Sequence, residues 1–141
     1  MKDLKTACRL ALVQCAPVMF DKKKGTDKVV GLIAEAAREK AELIVFPELV
    51  IPGYPYGMCF GFKPGCRDEN GRRDWKLYYD NSILVPGEET ARIAEAAAAA
   101  RAYVSIGVSE RDAVTATLYN TNLVFGPDGA LLTVHRKLKP T

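Results

Sequence analysis

Leu43-Ile44-Val45-Phe46-Pro47-Glu48 is an apolar run closed by a proline, with a carboxylate directly behind it. Its branched residues predict a strand. Upstream, Leu10 to Cys15 has only Gln14 as a strongly polar member and ends before Pro17, so it predicts another strand, one covered on both faces. Between the two, Val29, Ile33 and Ala37 recur at i, i+4 while Lys28, Glu35, Arg38 and Glu39 suit water, which predicts a surface helix starting at Thr26 or Asp27. Strand, helix and strand in this order form a βαβ unit with parallel strands. Glu48 then stands at the carboxyl end of a parallel strand, where open α/β folds collect their ligand groups.

The segment from Ile51 to Asn81 is rich in glycine, proline and aromatic residues, and only Asp74 to Asp80 suggests a short helix. An irregular stretch of that length implies an ordered lid, an interface or a surface excursion packed by its own rings. Gly87 opens a helix to about Tyr103, with Glu88 and Glu89 in the first turn facing the positive end of the dipole. Val104 to Val108 and Leu118 to Phe125 predict two more strands, the latter interrupted by Asn120 and Asn122. Pro127, Asp128 and Gly129 form a turn, and Ala130 to Val134 returns as the fifth strand of a hairpin.

Of the 141 residues, 48% are apolar and 26% charged, as in a soluble globular domain, and the size fits one domain. Twenty Lys and Arg against 17 Asp and Glu leave a net charge of +3, too small an excess to imply nucleic acid or a lipid surface as partner. No apolar run approaches the roughly 18 residues of a membrane span. Four cysteines lack the density of a disulfide scaffold, and no leader pattern is visible, so a cytoplasmic location is expected. Neither the dinucleotide-binding glycine pattern nor a P-loop is present. His135 is the single histidine and the cysteines are scattered, which disfavours a zinc site.

Taken in order, Ile44 to Glu48, Pro52-Gly53-Tyr54-Pro55, Val85-Pro86-Gly87, Ile106-Gly107, Glu110, Leu118 to Thr121, Pro127-Asp128-Gly129 and His135 to Thr141 resemble the amino-terminal half of the nitrilase family of carbon-nitrogen hydrolases. The resemblance covers almost the whole chain. It implies an α/β fold, a partial αββα sandwich with a mixed sheet and flanking helices, in which residues 1–141 are the amino-terminal part of one hydrolase domain, interrupted after the lysine motif. By motif match Glu48 takes the place of the family's general base and Lys137 that of its catalytic lysine. The nucleophilic cysteine lies some tens of residues further on in the family, and none of Cys8, Cys15, Cys59 or Cys66 matches it.

The implied reaction of the full-length parent is hydrolysis of an organic nitrile to a carboxylic acid and ammonia through a thioimidate and an acyl-enzyme, without metal or organic cofactor. An amidase or carbamoylase activity, or a noncatalytic fragment, are the alternatives. The implied partners are a small nitrile or amide and further copies of the chain in a homo-oligomer. A carboxylate with an ordinary pKa of about 4.3 is a poor base at neutral pH, so Glu48 is expected to be tuned by burial or a neighbouring charge. Tyr54 either lines the substrate pocket or braces the loop that holds Glu48. Arg136 either ties a carboxylate behind the site or faces water. Nitrilases often carry a tryptophan after Tyr54-Pro55, where this chain has Tyr56.

Overall fold

The computed structural model describes residues 7–56, 58 and 69–139. The chain runs β1 (Leu10–Leu12), α1 (Lys22–Arg38), β2 (Leu43–Val45), α2 (Glu69–Asn81), α3 (Glu88–Ala100), β3 (Tyr103–Arg111), β4 (Leu118–Phe125) and β5 (Leu131–Arg136). The five strands form one sheet in sequential order. β1, β2 and β3 are parallel, and β3, β4 and β5 follow as an antiparallel meander. The βαβ unit and the terminal hairpin are therefore as the sequence implies, in a mixed sheet flanked by helices.

The boundaries move for local reasons. α1 begins at Lys22, ahead of the apolar period, because the Asp21 carboxylate accepts from the Lys24 N–H at 2.9 Å and caps the first turn. At α3 the Thr90 hydroxyl accepts from the Gly87 N–H at 2.8 Å. The helix stops at Ala100, short of Tyr103, because Arg101 turns left-handed with its N–H on the Ala97 and Ala98 carbonyls. The short helix expected at Asp74 to Asp80 extends over all of α2. β3 runs past Val108 to Arg111, since buried Ser109 and Glu110 find polar partners within the sheet's surroundings.

α1 and α3 cover one face of the sheet. Val29 and Ile33 of α1 and Ile93 and Ala97 of α3 meet Ile44, Val104, Ile106, Val108, Leu123 and Phe125, all nearly free of solvent contact. Period-two alternation places Leu10, Leu12, Leu43, Val45, Tyr103 and Val124 on the other face, where Leu10, Leu12 and Tyr103 are exposed. The expectation that Leu10 to Cys15 is covered on both faces is thereby corrected. β1 ends at Leu12, is an edge strand, and is 73% exposed at Leu12, because the described layers cover only its inner side. Among the described residues no helix is long and apolar enough to cross a membrane.

Candidate active site

After Val45 the chain does not leave the sheet. The Phe46 N–H reaches the Ser105 carbonyl at 2.8 Å, Val50 N–H reaches the Gly107 carbonyl at 2.9 Å, and Ile51 bridges Val108 in parallel. Pro47, Glu48 and Leu49 form a detour between these rungs, so Glu48 is lifted over the uncovered face. Leu49 has a left-handed backbone, φ 49°, a conformation costing a side-chain-bearing residue roughly 1–2 kcal/mol. The detour rests directly on Gly107. A Cβ there would stand 2.7 Å from Glu48 Cα and 2.8 Å from the Pro47 carbonyl oxygen, so glycine is what allows the close approach.

From the opposite side of the site come β4 and the end of β5. Asn120 Nδ2 donates to Glu48 Oε1 at 2.6 Å, and Lys137 Nζ donates to the same oxygen at 2.9 Å. The Lys137 backbone N–H donates to the Asn120 carbonyl at 2.8 Å. Asn120 and Lys137 thus share one oxygen of Glu48, and Glu48 and Lys137 meet across 89 positions. Their side chains remain 47% and 37% exposed, so the pair is open to solvent on its outer side. The Lys137 hydrogen bond, then that from Asn120, hold the Glu48 carboxyl below its ordinary range, outweighing the small opposing effect of desolvation. The expectation that burial or a neighbouring charge tunes Glu48 into a better base is not met: the hydrogen bonds from Lys137 and Asn120 keep it ionised and make it a weaker base.

Two hollows flank the pair. One, of about 230 Å³, lies between Glu48, Gly107, Asn120, Asn122, His135 and Lys137. The other, of about 150 Å³, has Tyr54, Tyr78, Tyr119 and Leu118 around it and shares Asn120 with the first. Tyr54 thus stands on the wall of the second hollow, while Tyr78 is buried, with its hydroxyl pushed up by desolvation. Behind Tyr78 the Ser82 and Ser109 hydroxyls are 2.8 Å apart. A larger hollow of about 510 Å³ near Arg9, Lys40 and Glu42 lies at the other end of the parallel strands, away from these groups.

Arg136 points to the opposite face from Lys137, as alternation along β5 requires. It grips Glu110 with two prongs, Nη2 to Oε1 at 2.6 Å and Nε to Oε2 at 3.1 Å. Of the two sequence-based options for Arg136, a carboxylate behind the site is the one found. Cys8 is exposed and Cys15 half-buried against the core, both as free thiols, and neither lines the two hollows. Cys59 and Cys66 lie outside the described residues. Among the described residues no group of three His, Cys, Asp or Glu side chains could hold a metal ion. Sequence reasoning had no role for Asn120 beyond a polar interruption, and its alternation with Asn122 in an otherwise apolar strand was the available signal.

Residues 9–141 match the family model of the carbon-nitrogen hydrolases. The chain belongs to the carbon-nitrogen hydrolase family. Within that family it is similar to the aliphatic nitrilase of Sinorhizobium fredii (strain HH103), 47% identical over 136 residues that cover 96% of this chain and 43% of the relative. Nitrilase 1 of Arabidopsis thaliana is 42% identical over 136 residues, covering 96% of this chain and 39% of the relative. The chain spans about two fifths of the length of these curated relatives. A CN-hydrolase superfamily protein from Xanthomonas campestris shares its fold, with a TM-score of 0.64 at 23% identity, covering 92% of this chain and 40% of that one. The carbon-nitrogen hydrolase of Helicobacter pylori G27 superposes with a TM-score of 0.63 at 21% identity, over 94% of this chain and 40% of that one.

Proposed function

We propose that the full-length parent hydrolyses small organic nitriles, with Glu48 as the proton-transferring base and Lys137 as the cation that stabilises developing negative charge. The observation that carries this reading is the shared oxygen: Lys137 Nζ lies 2.9 Å from Glu48 Oε1 on the uncovered face of the sheet. The similarity to an enzyme named aliphatic nitrilase directs the substrate class toward nitriles. The nucleophile in this reading is a cysteine outside residues 1–141, presented to the same face.

The thiol gives its proton to Glu48 and the sulfur attacks the nitrile carbon, forming a C–S bond while one C–N π pair moves to nitrogen. Lys137 faces that nitrogen, and the proton held on Glu48 is delivered to it, leaving a thioimidate. Glu48 then takes a proton from water as the water oxygen adds to the same carbon and passes that proton to the nitrogen; the remaining hydroxyl proton follows to nitrogen as the C–N bond breaks, so ammonia leaves, a thioester remains and Glu48 is again ionised. A second water, activated in the same way, releases the carboxylic acid and restores the thiol. Because Lys137 keeps Glu48 ionised, Glu48 is ready to accept a proton at neutral pH, and proximity to the attacking group compensates for its weak basicity. Tyr54 and the hollow it lines fit the substituent on the nitrile carbon.

The test is nitrile-dependent ammonia release by the full-length protein, with acid and amide products both quantified, since relatives from Lupinus angustifolius and Nicotiana tabacum are named bifunctional nitrilase/nitrile hydratase. Loss of at least about 10²-fold in kcat in Glu48→Gln and in Lys137→Ala is expected. Turnover of the matching amide or carbamoyl compound without turnover of the nitrile would transfer the assignment to an amidase or carbamoylase.

A further inference from the structure

Lys137 follows the last residue of β5, and every residue of that edge strand is exposed. Such a strand has little apolar burial to fix its end, yet Lys137 must deliver Nζ to one carboxylate oxygen. The anchor lies one residue earlier and on the opposite face. Glu110 is buried, with its side chain 3% exposed, and accepts from Arg136 Nη2 and Nε and from the Thr121 hydroxyl at 2.7 Å. The Arg136 guanidinium also lies over the Tyr119 ring, 3.8 Å from its centroid. A two-pronged arginine contact fixes orientation as well as distance, which a single lysine contact does not.

We propose that the Glu110–Arg136 pair is a positioning device for Lys137: it locks the end of β5 onto β3 and β4, so that Lys137 reaches Glu48 in one geometry. Glu110 pairs in register with Tyr119, and Thr121 with Arg136, so the lock spans three strands. Its chemistry stays on the helix-covered side of the sheet, while its effect falls on the uncovered side. Glu110 lines neither hollow and does not touch Glu48; it acts through its partners Thr121 and Arg136, the latter setting the chain direction at Lys137. This inference deepens the proposed reaction and rests on Lys137 having a role in it.

The test uses Glu110→Gln and Arg136→Lys in the full-length protein, with two readouts. The first is steady-state kinetics, in which kcat falls by about 10-fold or more while KM moves by less than about 2-fold, the split expected when a group acting in the transition state is misplaced. The second is a carbon-13 NMR titration of the Glu48 carboxyl, assigned by its loss in Glu48→Gln. Lys137, His135, Tyr54, Tyr78 and Tyr119 are the titratable groups lining the hollows around Glu48. Weakening the Lys137 contact moves the Glu48 midpoint upward in both variants, and the effect is smaller in Arg136→Lys. An unshifted Glu48 midpoint with kcat within about 2-fold of wild type would overturn the proposal. Should Glu110→Gln fail to fold, Arg136→Lys, which leaves a cation beside Glu110, decides by the same criteria. The titration needs no turnover, so a parent inactive on nitriles would refute the proposed function and leave this inference to stand or fall by the Glu48 midpoint.

Discussion

Gly107 and Glu48 touch through their backbones: a Cβ on the glycine would lie 2.7 Å from the Glu48 Cα, inside any real contact distance. The position of the carboxylate is therefore set by the absence of a side chain on the neighbouring strand. Gly107→Ala must push the Pro47–Leu49 detour outward or bend β3. We expect a loss of stability of about 1–3 kcal/mol, as for other overpacked sites, and a fall in turnover larger than the stability loss explains. Denaturant midpoints and kcat measured on the same preparation check this, and unchanged values of both would refute it.

Asn120→Ala removes the shorter of the two hydrogen bonds to Glu48 Oε1. Because that bond helps hold the carboxyl down, the Glu48 midpoint should rise in the variant. The acid limb of kcat/KM in the full-length protein should move to higher pH with it. Asn120→Asp should raise the midpoint further if the new carboxylate is ionised, since two like charges would then share the site. A pH profile superimposable on wild type would contradict the assignment.

The pair also links stability to pH. Glu48 has a folded pKa below its unfolded value of about 4.3, so its contribution is fully present above that value and is lost as pH falls through the folded pKa. The difference in unfolding midpoint between wild type and Lys137→Met should therefore be constant near neutrality and shrink in acid. Added salt should also reduce it, because both side chains are well exposed. A difference that grows on acidification would show the sign to be wrong.

Two contacts between α1 and α3 separate burial from charge. Ile93 has no exposed surface, whereas the Arg92 to Asp27 ion pair, at 2.6 Å, has side chains 35% and 52% exposed. Ile93→Ala should cost about 2–5 kcal/mol and Arg92→Ala no more than about 1 kcal/mol. Equal shifts in chemical denaturation would refute this ordering.

The parallel unit was legible because Ile44 and its neighbours form a continuous apolar run and Val29 and Ile33 keep a helical period. The first turn of α1 was not, since Lys22 to Lys24 carry no apolar signal and the capping by Asp21 shows only in the hydrogen bond. The polar end of β3 was missed because Ser109 and Glu110 look like a loop until their buried partners are known. Glu48 stood out by its place at the carboxyl end of a parallel strand, but Lys137, and the pairing of the two, could be named only through resemblance to a family, as a separation of 89 positions carries no distance. Gly107 appeared in a motif without a reason, because the backbone it accommodates is nearly sixty positions away in sequence.

Asn120 uses its amide on Glu48 and its carbonyl on the Lys137 backbone. Both partners therefore hang from one bracket in β4. One residue of β4 ties the carboxylate on one side and the lysine backbone on the other, although the strand that ends before Lys137 is exposed along its length.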